Sequence, residues 1–268
     1  RPDAILCTHF LPIDAALNSL APAGLKAPVF CVVTDFVGHP FWAHPAIAGT
    51  FVGNDMTADM LVSHGVPRRS LHVTGIPVDP DIALPKAAAA IRQQHGLGAG
   101  PVLLLIGSGI ENAKVRFMVE GLLARNLAGT LIVVAGRNYT LQQSLAGLRS
   151  SERLQLRVLG FVDYLDDLVA ASDLVITKSG GLITSEVMAR GTPLLVTEPI
   201  RGQEEFNADY VVTAGVGVQA RITDSVPYMA ESLIAEPPRL ARMRQNAAVH
   251  GRPQAALDVA DIVLNAIN

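Results

Sequence analysis

Ten short apolar runs of strand length alternate with helix-like segments along almost the whole chain, and no other feature narrows the possible folds so far. The runs are "AILCT", "VFCVVTD", "GTFVG", "LHVTG", "VLLLIG", "LIVVAG", "LQLRVLG", "DLVIT", "PLLVT" and "GVGVQA". Candidate helices lie between them, among them "TADMLVSHG" and "KVRFMVEGLLARN". This rhythm builds βαβ units with right-handed crossovers, and so doubly wound parallel sheets. Sheets covered on both faces need strands that are apolar throughout. That accounts for a chain of 268 residues that is 50% hydrophobic yet has no run long enough to span a bilayer.

One stretch breaks the rhythm. "TGIPVDPDIALPKAAAA" carries three prolines in a short span, each removing a backbone donor and restricting its predecessor, and reads as a linker. It leaves residues 1–80 as the C-terminal part of one Rossmann-like domain. Residues 86–250 supply six strands and make a complete second one. Residues 251–268 form a C-terminal helix that can return to the first domain. From Val226 onward the pattern is helical throughout, broken at Pro237-Pro238 and again between Gly251 and Pro253. The opening "RPDAILCTHF" has no initial Met and reads as the approach to a strand already under way, so further chain is expected upstream.

The formal net charge is -3 and there is no basic block, which argues against nucleic acid as the main partner and leaves a membrane surface open. Cys7 and Cys31 each sit inside a strand-like run, as buried free thiols do, and suit a reducing cytoplasm.

Chemistry concentrates where strands give way to helices. In "KSGGLITSE", Gly180 and Gly181 precede a helix expected to start near Leu182. The first amides of a helix lack internal partners and carry partial positive charge, and glycine lets a ligand approach them, which suits a phosphate or diphosphate. Ser179 and Thr184 add hydroxyls, and Glu186 can accept two hydrogen bonds from a vicinal diol such as a ribose. The plain alternative is a tight turn with Glu186 favoured by the helix dipole. One strand later, "PIRGQEEFNADY" clusters Gln203, Glu204 and Glu205, a set suited to a polyol or else an ordinary acidic helix start. Asn207 reads as a cap or a packing polar group.

"LLLIGSGIENAK" holds Gly107, Ser108 and Gly109 but has Asn112 where a dinucleotide fingerprint has its third glycine, so it fits a phosphate contact better than NAD. "AGRN" gives a fourth junction with Gly136, Arg137 and Asn138. In "VVTDFVGHPFWAH", Asp35, His39, Trp42 and His44 follow a strand. Their spacing matches no standard zinc signature, leaving an acceptor groove with an aromatic wall, or a loop around a packed Trp.

Taken in order, "VTDFVGHPFW", "VTGIPVDP", "AGRN" and "TKSGGLITSEVMARGTPLLVTEPIRGQEEFNA" resemble the diacylglycerol glycosyltransferases, the bacterial processive glucosyltransferases and plant-type monogalactosyldiacylglycerol synthases. The resemblance covers nearly the whole chain. It implies a GT-B fold, two Rossmann-like domains facing a cleft, with the second binding a UDP-sugar. It places Ser108, Gly180, Gly181 and Thr184 at the diphosphate, Glu186 at the ribose, Phe161 and Val162 at the uracil, and Gln203 and Glu204 at the hexose. On the acceptor side it implies His39 and Trp42 at the lipid, with Asp35 and His39 as catalytic candidates.

The family's glycine-rich loop with its His is not matched, so the N-terminal domain reads as incomplete and the main base is expected upstream. The "SGG" here replaces the commoner "PGG". The implied activity is inverting transfer of glucose or galactose from a UDP-sugar to diacylglycerol or a related lipid, with no metal ion or other cofactor. The implied setting is the cytoplasmic face of the cell membrane, as a peripheral protein. Three other readings stay open: N-acetylglucosamine transfer to a lipid-linked peptidoglycan precursor, a UDP-sugar epimerase, and a UDP-sugar-binding module without turnover.

Overall fold

The computed structural model describes residues 1–20 and 22–267, and its chain divides into two compact units. The first takes in Arg1–Ala83, Gly181–Ser185 and Arg252–Asn268, and the second Leu84–Gly180 and Glu186–Gly251. The break at Ala83 falls within the proline-rich stretch, where Pro80–Ala83 forms a single 3-10 turn.

The first unit opens with strand β1 (Ile5–Cys7) and helix α1 (Leu11–Leu20), followed by β2 (Val29–Val32) and β3 (Gly49–Val52). Helix α2 (Asp55–Ser63) and β4 (Leu71–Val73) complete its sheet, which is parallel in the order β1-β2-β3-β4. Asn54 starts α2 by accepting a hydrogen bond from the Thr57 amide at 2.7 Å, the usual work of an N-cap side chain. Ile13, Val29, Cys31, Val33, Val52 and Leu61 are buried together on one side of the sheet. Cys7 and Cys31 stand opposite each other in the β1–β2 register, both free and buried. Burial, with Cys7 beside it, pushes the Cys31 thiol up to about 12, so it stays protonated and unreactive at neutral pH.

The second unit starts with α3 (Ala88–Gln94), β5 (Val102–Ile106), α4 (Asn112–Leu123), β6 (Gly129–Val134), α5 (Tyr139–Leu145) and β7 (Leu154–Leu159). It continues through α6 (Leu165–Ala171), β8 (Leu174–Thr177), α7 (Gly181–Ala189), β9 (Leu194–Thr197), α8 (Gln203–Thr213) and β10 (Gly217–Ala220). Two helices, α9 (Val226–Ile234) and α10 (Pro237–His250), close it. Pro237 and Pro238 begin α10 rather than merely interrupting a helix, because a first-turn proline gives up no intrahelical bond. The six strands are all parallel, in the order β10-β9-β8-β5-β6-β7. Strands β5, β8 and β9 are buried along their whole length, which is why they read as unbroken apolar runs.

The chain winds outward from β5 to β7, then crosses back to lay β8 on the other side of β5. The winding thus reverses between β5 and β8, and open α/β sheets bind ligands outside the carboxyl ends of the strands at such points. The last helix, α11 (Ala255–Ile267), belongs to the first unit, where Val259 packs with Phe30, Val32 and Phe51. Asn268, the final residue of the expected C-terminal segment, lies outside the described residues. Among the described residues no helix is long and apolar enough to cross a membrane.

Candidate functional site

Three glycine-bearing junctions meet at the carboxyl ends of the central strands of the second unit. After β5 come Gly107, the exposed Ser108 and Gly109. After β8 come Lys178, the buried Ser179 and Gly180, the N-cap of α7. After β9 the chain reaches Glu198, a non-glycine residue with a positive φ of 48°, and then Gly202, the N-cap of α8. Glu198 accepts hydrogen bonds from Lys114 Nζ at 2.5 Å and from the Thr223 hydroxyl. Burial alone would push its carboxyl up, but these two bonds hold it below its ordinary value.

The start of α7 follows the sequence expectation to within one residue, with Gly181 rather than Leu182 as the first helical residue. Neither glycine there needs a left-handed backbone, since Gly180 is extended at φ -63°. What they provide is the missing Cβ. Within the first unit, to which Gly181–Ser185 belongs, a Cβ on Gly181 would overlap the Thr34 carbonyl oxygen and stand 3.3 Å from Asp35 Oδ1. The N-cap, Gly180, has no side chain with which to bond the first amides. Thr184, four residues into the helix, is fully buried, and among the described residues its Oγ1 has no hydrogen-bond partner. Ser185 turns back instead, donating to the Gly181 carbonyl at 2.8 Å. Glu186, the next residue, is half-buried.

The two acids of "GQEE" have separate duties. Glu205 accepts from the Gly202 amide at 3.0 Å while its own amide donates back to the Gly202 carbonyl, a capping box for α8. Glu204 is only 4% exposed. Its Oε1 accepts from Lys178 Nζ at 2.6 Å and its Oε2 from the Ile200 amide at 2.9 Å. Its carbonyl accepts from the Ser179 hydroxyl at 2.7 Å, and Asn207 Nδ2 donates to the Ser179 carbonyl at 2.9 Å. This differs from the expectation of an open polyol ligand, because Glu204 is buried with a protein donor on each carboxylate oxygen. Gln203 remains exposed at the first position of α8.

At the ends of β6 and β7, Phe161 is 62% exposed and the Arg137 guanidinium lies 4.8 Å from its ring centroid. Val162 beside it is half-buried. Asn138 caps α5 through the Leu141 amide and donates to Asn112 Oδ1 at 2.8 Å, tying this junction to the one after β5.

In the first unit one expectation changes. Trp42 is 4% exposed and packs in the core, edge-on to Phe10. It therefore does not wall an acceptor groove, and the exposed aromatic of that turn is its neighbour Phe41. His39 is exposed, and its Nδ1 accepts from the Phe41 amide at 3.2 Å. A neutral imidazole that accepts at Nδ1 carries its proton on Nε2. Asp35 is buried, and His44 is engaged with Asp14 at 2.9 Å.

Sequence reasoning left Lys178 and Arg137 without roles. Both stand at strand ends beside glycines, and a cation at that position was the available signal.

Two parallel-sheet α/β units in series are the architecture of GT-B proteins. Solved structures agree on the fold. MurG of Acinetobacter baumannii superposes with a TM-score of 0.69 at 18% identity, covering 98% of this chain and 73% of that one. Anabaena HepE in complex with UDP gives 0.64 at 17% identity, covering 98% and 79%.

A family model described as monogalactosyldiacylglycerol synthase matches residues 1–78, and one described as glycosyl transferases group 1 matches residues 88–250. The processive diacylglycerol beta-glucosyltransferase of Bacillus pumilus is 31% identical over 92% of this chain and 64% of its own length. The enzyme of that name from Bacillus cereus strain AH187 is 30% identical over 98% and 68%. The chain belongs to this family of diacylglycerol glycosyltransferases, and spans about two thirds of the length of these relatives.

Proposed function

We propose that the protein moves a hexose from a UDP-sugar to a lipid hydroxyl, that of diacylglycerol, with inversion at the anomeric carbon and without a metal ion. The observation that carries this reading is the start of α7. Its N-cap is a glycine with no side chain to bond the first amides, and among the described residues Thr184 Oγ1 is a buried hydroxyl with no hydrogen-bond partner. Buried polar groups are nearly always hydrogen-bonded, and an orphan at a helix start beside a switch point calls for a ligand. An anion with two phosphates matches it.

Gly180, Gly181, Thr184 and Ser108 take the diphosphate, Glu186 the ribose, and Phe161 with Val162 the uracil. Gln203 takes the hexose hydroxyls. In the reaction the lipid oxygen bonds to the anomeric carbon while the bond to the diphosphate breaks and UDP leaves with its electron pair. Helix-start amides stabilise the charge that develops on UDP. On the acceptor side Asp35 and His39 are the candidates for handling the hydroxyl proton. Phe41 and Leu11, 64% and 72% exposed in the first unit, supply the apolar contact with the lipid surface. The names of the Bacillus relatives support this choice of acceptor and sugar.

Calorimetric titration tests the donor half. UDP is expected to bind equally well in EDTA and in magnesium, and strict dependence on a divalent ion would overturn the metal-free reading. Co-sedimentation with diacylglycerol-containing vesicles tests the acceptor half, and Phe41→Ala is expected to weaken it without changing UDP affinity.

A further inference from the structure

Lys178 plays no part in the roles assigned above. We propose that Lys178 is the cation that meets the diphosphate of the donor, and that Glu204 is the positioning residue that holds it in place. The proposal rests on the reading of this site as a UDP-sugar site.

Lys178 is the first residue after β8, two positions before the N-cap of α7. Its stem runs along Gly109, so closely that a Cβ there would lie 2.7 Å from its Cε and 3.2 Å from its Nζ. Gly109 also has a φ of +79°, so both its backbone and the lysine beside it require glycine. The amine thus stands at the carboxyl ends of β5 and β8, where the winding of the sheet reverses. A second feature suited to a phosphate follows two residues later in the chain, the glycine-capped start of α7 with the orphan hydroxyl of Thr184.

The amine is held rather than consumed. Among the described residues its one hydrogen bond goes to Glu204 Oε1, at 2.6 Å. An ammonium has three donors, so two remain for a ligand. Its side chain is 21% exposed while that of Glu204 is 6% exposed, which places the cation on the solvent side of the pair. Glu204 in turn is fixed by the Ile200 amide, and its carbonyl by the Ser179 hydroxyl. The carboxylate cannot swing toward a ligand without breaking these contacts.

The charges require the same assignment. A buried carboxylate beside a diphosphate site would repel the ligand, and pairing it with Lys178 cancels that repulsion. The cation then faces the phosphates with its position already set, so little ordering is left to be done on binding. In this way one residue of "GQEE" serves the phosphate end of the donor, while its neighbour Gln203 serves the sugar end.

The test titrates UDP, uridine and inorganic pyrophosphate into the wild-type chain, Lys178→Met, and the double variant Lys178→Met/Glu204→Gln. The double variant removes both charges, so the fold carries no unpaired buried carboxylate. It is expected to bind UDP and pyrophosphate at least about tenfold more weakly, the equivalent of about 1.4 kcal/mol, and uridine within about twofold of wild type. Lys178→Met alone is expected to be weaker still toward UDP, because the bare carboxylate now repels it. UDP affinity equal to wild type in the double variant, or equal losses for UDP and uridine, overturns the proposal. A wild-type chain that binds UDP no more tightly than uridine overturns the reading of the site itself.

Discussion

Replacing Glu204 with alanine separates a residue that holds the site together from one that holds a sugar. The side chain makes two hydrogen bonds, to Lys178 Nζ at 2.6 Å and to the Ile200 amide at 2.9 Å. Hydrogen bonds to a charged group contribute about 1.5–3 kcal/mol each, and breaking a buried ion pair costs about 3–5 kcal/mol. Lys178, a fifth exposed, regains water once released, so the low end applies and the expected loss is about 3 kcal/mol. For a unit of this size each kcal/mol lowers the melting temperature by about 2–4 °C, giving a fall of about 6–12 °C. Glu204→Gln keeps an acceptor for the Ile200 amide and loses only the charge pairing, so it should fall about half as far. Thermal melts followed by circular dichroism read both variants. An alanine variant that melts with the wild type, yet loses affinity for UDP-glucose while keeping UDP, would refute the argument and return Glu204 to the hexose.

Gln203→Ala is expected to leave the melting temperature and UDP affinity unchanged while weakening UDP-hexose, read by paired titrations. Glu186→Ala should weaken UDP by about 1–3 kcal/mol, the worth of charged hydrogen bonds, and pyrophosphate hardly at all. Trp42→Ala should destabilise the first unit by about 3–5 kcal/mol, as emptying a core aromatic site does, whereas Phe41→Ala should barely change the melt. Asp166 supplies a pH prediction. Burial alone would push its carboxyl up, but hydrogen bonds from Arg190 and Lys86 hold it below its ordinary 3.8. A depressed carboxylate adds stability above its unfolded value and loses it as pH falls through the folded one. Melts of the wild type should therefore drop below about pH 4, and Asp166→Asn should flatten that acid limb while lowering stability at pH 7.

All ten strands were legible in the sequence, because strands covered on both faces must be apolar along their length and the glycines and prolines between them mark where they stop. The start of α7 was legible for a related reason, since a strand, two glycines and a hydroxyl-rich helix turn leave few other conformations. The proline-rich boundary was legible too, because proline cannot continue either kind of element. What the sequence could not decide was which way a side chain faces once such elements meet. Trp42 looked like a groove wall and is core, because Phe10 arrives from the far end of its unit to cover it. Glu204 looked like a polyol ligand and is an internal counterion, because Lys178 reaches it from the neighbouring strand end, 26 residues away. Local pattern sets the elements, since their hydrogen bonds are between near neighbours or follow a fixed period. Contacts between residues far apart in the chain have no period, and these decide the charge, orientation and accessibility of the groups at the site.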